Sequence, residues 1–101
     1  MNTHQALPPE VSIYTAAEVK AHLLDCARTE QADQPMLTLD ASAVRDIDGA
    51  GVQLLLALDN SLRRQGRRLV LRSAGQGVRE ALMRLGADGL LNNAEPTEAS
   101  A

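Results

Sequence analysis

Phenylalanine and tryptophan are absent from this chain of 101 residues, and Tyr14 is its only aromatic residue. Leu, Val, Ile and Ala must supply nearly all the buried area, and a fully buried Leu contributes roughly 1.5–3 kcal/mol. Such a core suits helices packed on a small sheet, and it offers little aromatic surface for stacking a base or a sugar. Cysteine is almost absent as well. Cys26 stands alone, which excludes an internal disulfide framework and a zinc site of paired thiols. No apolar run approaches the length of a membrane-spanning helix. Met1 to Leu7 lack the basic stretch and apolar run of a secretory signal, so a soluble, cytoplasmic protein is expected. Positive charge is not in excess either. The net charge is −3 and the isoelectric point is near 5.2, which argues against general nucleic-acid affinity.

The chain is about one domain long, and hydrophobic residues make up 45% of it, enough for one core. No repeat or linker divides it. Residues 1–91 are expected to form a single domain, and 92–101, with Pro96 and small polar residues, a flexible tail. From His4 to Val11 the chain reads as extended, with Pro8 and Pro9 confining it to an edge strand or an irregular segment. Thr15 followed by Glu18 predicts a capping box opening a helix to about Thr29, with Val19, Leu23 and Cys26 inward. Met36–Asp40 reads as a short buried strand, and 41–48 as a loop.

The most regular element runs from Gly49 to Arg64. Val52, Leu55, Leu58 and Leu62 form its apolar stripe, while Gln53, Ala57, Asn60 and Arg64 lie opposite. Gly66 is placed as a left-handed cap. Leu69–Leu71 is the next strand, and Gly77–Leu85 a further helix with Val78, Leu82 and Leu85 inward and Gly86 past its end. Alternating helices and strands predict an α/β fold, with a small mixed, partly parallel sheet and helices packed mainly on one side.

Asp46-Ile-Asp48-Gly-Ala-Gly51 places two carboxylates and two glycines where the central helix begins. The glycines let the backbone turn sharply and let another chain come close, and the first N–H groups of the helix point out of its end. The same residues also have a purely structural reading, in which Asp48 caps the helix, the glycines permit the turn, and nothing binds. An acidic surrounding weighs against a plain phosphate site.

The run from Leu37 to Val52, containing Asp48-Gly-Ala-Gly51 and followed by Leu54-Leu-Leu56, resembles the signature of STAS domains, the anti-sigma-factor antagonists and the related domains of anion transporters. Gly66–Leu71 and Val78–Gly86 follow in the order that family uses, so the likeness spans about Val11 to Leu91. Ile13–Lys20 and Gln53–Leu58 are also similar to stand-alone members found among bacterial chemotaxis genes. The resemblance implies a non-enzymatic module that binds a histidine-kinase-like anti-sigma factor or a chemotaxis signalling component. The contact residues it implies are Asp46, Asp48, Gly49, Ala50, Gly51, Gln53, Leu54 and Ala57. In phosphorylation-switched members the second residue after the aspartate carries a hydroxyl that takes phosphate. Here that position is Ala50, preceded by Gly49, so no phosphorylation is expected there. A rival reading is the STAS-like accessory subunit of a phospholipid-transport ABC system; nucleotide binding, suggested for some members, finds no phosphate loop here.

Other chemistry is thinly represented. Arg63, Arg64, Arg67, Arg68 and Arg72 form a basic cluster, read as helix-end cations and a solvated turn. His22 lies among Glu18 and Cys26 and reads as satisfied or exposed, and Cys26 as a small core residue. Ser42, Ser61 and Ser73 lack an accompanying histidine and carboxylate. Asp40, Asp46 and Asp48 read as caps and loop anchors instead of metal ligands. Gly75 and Gly77 lack the third glycine of a dinucleotide fingerprint. No metal or cofactor is expected.

Overall fold

The computed structural model describes residues 5–29 and 35–92. The expected tail from residue 93 onward lies outside them. The elements are β1 (Gln5–Ala6), β2 (Glu10–Val11), α1 (Ala16–Thr29), β3 (Met36–Asp40), β4 (Asp46–Ile47), α2 (Gly49–Arg63), β5 (Arg68–Arg72), α3 (Gln76–Arg84) and α4 (Gly89–Asn92). The class is α/β, as the alternation predicts. Strands β1, β3 and β5 form one sheet in the order β1-β3-β5, and β2 with β4 forms a second. Every strand pair among the described residues is parallel.

Pleating sorts the sheet residues. Leu37 pairs with Leu69 and Leu39 with Leu71, so these four share one face. They join Val19, Leu23 and Cys26 of α1, the Val52, Leu55, Leu58 and Leu62 stripe of α2, Val78 and Leu82 of α3, and Leu90 of α4 in one core cluster. Residues of all four helices thus pack against this face of the three-stranded sheet. Aliphatic side chains fill that core, with Cys26 buried among them.

Several local expectations give way to longer-range bonding. The capping box does not form. The Thr15 hydroxyl accepts the Ser12 N–H at 3.1 Å and donates to the Glu10 carbonyl at 3.1 Å, and Glu18 is exposed. Thr15 therefore closes the β2–α1 turn instead of bonding with Glu18. The segment 41–48 is not all loop, because Asp46 and Ile47 pair with Glu10 and Val11. Leu85 lies past the end of α3 and is 45% exposed, not inward. Arg67 is not solvated: only 4% of it is exposed, and its Nη1 donates to the Ala27 carbonyl at 3.5 Å. Gly66 and Gly86 do adopt positive φ, at 76° and 70°.

Candidate functional site

Two parallel strands set the position of the candidate site. β2 runs into the Ser12–Thr15 turn before α1, and β4 runs into Asp48 before α2. Because the strands are parallel, both carboxyl ends lie at one pole, and both helices start there. Asp48 ties the two turns together. Its backbone is extended, at φ −124° and ψ −175°, its Oδ1 accepts the Gly51 N–H at 2.9 Å, and its Oδ2 accepts the Ile13 N–H at 3.1 Å. The Asp48 N–H in turn donates to the Val11 carbonyl at 3.3 Å. One side chain thus caps α2 and holds the segment before α1, 35 residues away in sequence.

Those donors set the charge. The Ile13 N–H, then the Gly51 N–H, hold the Asp48 carboxyl below its ordinary value, with smaller help from the Ala50 and Asp48 amides. Partial desolvation opposes this and loses. Asp48 is therefore a fixed, ionised carboxylate at the positive end of a helix.

The two glycines differ. Gly51 is buried, and a Cβ there would overlap the Val11 carbonyl oxygen and lie 2.8 Å from its carbon. The close approach expected of another chain is made by this chain's own β2. At Gly49 a Cβ would meet only Leu85 Cδ1, at 3.9 Å, an ordinary contact. Neither glycine has positive φ, so close packing at Gly51 accounts for the motif, and a sharp turn does not.

The other sequence-predicted residues spread outward from this point. Asp46, Gly49, Gln53 and Ala57 are exposed, and Ala50 and Leu54 are half-buried. Gln53 and Ala57 lie one turn apart on the outer side of α2. Asp40 does not join Asp46 and Asp48; its Oδ1 accepts the Ser42 N–H at 2.8 Å. Among the described residues no three His, Cys, Asp or Glu side chains gather as a metal-ion donor set. His22 sits elsewhere, its Nε2 2.7 Å from the Ala6 carbonyl oxygen, and Cys26 Sγ donates to Gln5 Oε1 at 3.1 Å.

Two residues at this pole escaped the sequence reading. Ile13 is 63% exposed on the segment that Asp48 holds, and Leu85 faces the Gly49 backbone. Both are large apolar side chains left in solvent near the start of α2. The signal for Ile13 was its place between a strand and a helix start, where no core period requires an apolar residue.

A family model described as "Mlab, STAS domain" matches residues 6–92. The chain belongs to the STAS domain family. STAS domains are generally non-enzymatic and act by binding other proteins. No curated protein matches the chain. The first turn of α2 in this STAS domain begins with Gly49 and Ala50, neither of which carries a hydroxyl. Among the described residues no helix is long and apolar enough to cross a membrane.

Proposed function

We propose that the protein is a non-enzymatic, cytoplasmic docking module of the anti-sigma-factor-antagonist kind. It binds its partner through the start of α2 and the exposed side of that helix. Asp46 and Asp48 give the contact its charge, Gly49, Ala50 and Gly51 its shape, and Gln53, Leu54 and Ala57 its extension along α2. The partner class is a histidine-kinase-like anti-sigma factor or a chemotaxis signalling component. One observation carries the reading: the ionised Asp48, held rigidly by two backbone N–H groups, is bonded to the segment of exposed Ile13, and exposed Leu85 stands by the neighbouring Gly49. Without a hydroxyl at Gly49 or Ala50, a partner kinase has no acceptor there, and docking is not switched by phosphate at that turn.

Affinity purification from native cells, followed by calorimetric titration of the recovered regulator, tests this reading. Ala57→Arg should melt within about 0.5 kcal/mol of the wild type and lose most of its affinity, because an interface charge without a partner is costly to desolvate. Wild-type affinity in that variant would put the partner elsewhere, first of all on the arginine cluster between Arg63 and Arg72. A second reading, the accessory subunit of a phospholipid-transport ABC system, is favoured by the missing hydroxyl at Ala50. Titration with a transporter ATPase subunit separates the two.

A further inference from the structure

A second surface overlaps the far end of the docking face, sharing Leu54 and Ala57 with it. Between α1 and α2 runs a groove with two pits. The first, of about 290 Å³, is lined by Lys20, Leu23, Leu24, Leu54, Ala57, Leu58 and Ser61. The second, of about 410 Å³, is lined by Leu24, Ala27, Arg28, Gln65 and Arg67. Leu24 belongs to both and is 49% exposed, so it forms a ridge between them. Lys20, Leu24 and Arg28 follow at intervals of four on α1 and line one wall.

The charge here contrasts with the chain as a whole. The protein is net negative, yet three cations and no carboxylate line the two pits. Arg28, in the last turn of α1, sits where the helix dipole favours a cation. Lys20, in the first half of the helix, has no such explanation. Arg67 lies at the floor, bonded to the Ala27 carbonyl, while Lys20 and Arg28 are exposed. Apolar pits with cationic rims complement an amphipathic segment that carries carboxylates.

The scale also fits a helix. Lys20 to Arg28 spans about 12 Å of α1, and the centres of the two pits lie about four residues, or roughly 6 Å, apart along it. Apolar side chains at i and i+4 of a partner helix have that separation, and would straddle Leu24 as a ridge enters a groove. We infer that the α1–α2 groove receives a short acidic, amphipathic helix of the protein partner. An i, i+4 apolar pair of that helix would fill the two pits, and its carboxylates would meet Lys20 and Arg28. The inference rests on the protein-binding reading above and adds the chemistry of the partner.

Synthetic peptides test it without the native partner. One helix of about 14 residues, long enough to be partly helical, carries Leu at i and i+4 flanked by Glu; its counterpart carries Lys in place of Glu. Each is titrated into the full-length ¹⁵N-labelled protein while amide shifts are followed. The acidic peptide should move the Lys20, Leu24, Arg28, Ala57 and Gln65 amides and bind about tenfold or more tighter than the basic one. Lys20→Glu with Arg28→Glu should reverse that preference, and Leu24→Glu should weaken both peptides. Equal binding of the two peptides, or no shifts at these amides up to about 1 mM, overturns the proposal. So would a concentration-dependent dimer abolished by Leu24→Glu, which would assign the groove to a second copy of the chain. A negative peptide titration leaves docking at the start of α2 standing, and wild-type affinity in Gln53→Arg, a residue outside both pits, counts against that docking and leaves the groove standing.

Discussion

Asp48 and Asp59 sit toward opposite ends of α2 and use the same chemistry in different surroundings. Each carboxylate divides its oxygens between a local donor and a distant one. Asp48 takes the Gly51 and Ile13 N–H groups. Asp59 takes Arg63 Nε, at 2.7 Å, and the Leu69 N–H, at 2.9 Å. The difference is exposure. Asp59 is 5% exposed and fastens the start of β5 to the helix, whereas Asp48 stays partly open beside the Ile13 segment. A buried carboxylate with its acceptors filled is a structural tie. A partly open one, equally ordered, can also present its charge to a partner. Order without burial is what distinguishes the candidate site from the rest of the fold.

The largest expected effect tests whether the site's shape comes from packing. Gly51→Ala forces a Cβ into the Val11 carbonyl, and backbone cannot give way as a flexible side chain can. Urea denaturation should show a loss on the order of 4 kcal/mol, or no cooperative transition. A wild-type midpoint would mean that β2 does not press on α2 as described. Next comes Asp59→Ala. It leaves the buried Leu69 N–H without this acceptor, which costs about 1–3 kcal/mol. The Arg63 pair adds little, since that side chain is 46% exposed and exposed pairs are weak.

Asp48→Asn should cost less than Asp59→Ala, and its cost should depend on pH. Because the folded carboxyl titrates below its ordinary value, its stabilisation is complete above the unfolded pKa of about 3.9. It is lost as pH falls through the lower folded pKa. The stability gap between wild type and Asp48→Asn should therefore be full near neutral pH and close as the solution is acidified toward about pH 2. A gap that widens on acidification would contradict the hydrogen bonding assigned to Asp48. The smallest effect belongs to Ala50→Ser, which should fold with near wild-type stability and restore a hydroxyl at the helix start. Phosphate appearing on the wild-type protein at Ser42 after incubation with partner kinases, mapped by mass spectrometry, would show that the acceptor had moved.

The comparison also separates what was legible in the sequence from what was not. The stripe Val52, Leu55, Leu58 and Leu62 repeats at helical spacing, so α2 and its inward face followed directly from the pattern. So did β3, β5 and Gly66, each set by local periodicity or by a positive φ. Asp59 was hidden because it breaks that pattern: it lies next to Leu58 on the buried side, and its acceptor role depends on a strand ten residues later. β4 is two residues long and exists only by pairing with β2, a partner no local pattern reveals. Thr15 carried a correct helix-start signal with the wrong partners, since the Glu10 carbonyl and Ser12 N–H outcompete Glu18. At the site, the residues at the start of α2 were legible, whereas Ile13 and Leu85 needed the fold to bring them beside Asp48 and Gly49.

On the proposed docking, the start of α2 serves both binding and stability, whereas Asp59 near its far end serves stability alone. Gln53→Arg and Asp59→Asn, each compared with wild type by thermal melting and by calorimetric titration with the recovered native partner, test it most directly. Gln53→Arg should melt like wild type and lose at least about tenfold in affinity, while Asp59→Asn should melt earlier and, below its transition, bind like wild type. A Gln53→Arg protein that binds with wild-type affinity, or an Asp59→Asn protein that remains folded and cannot bind, would contradict that division.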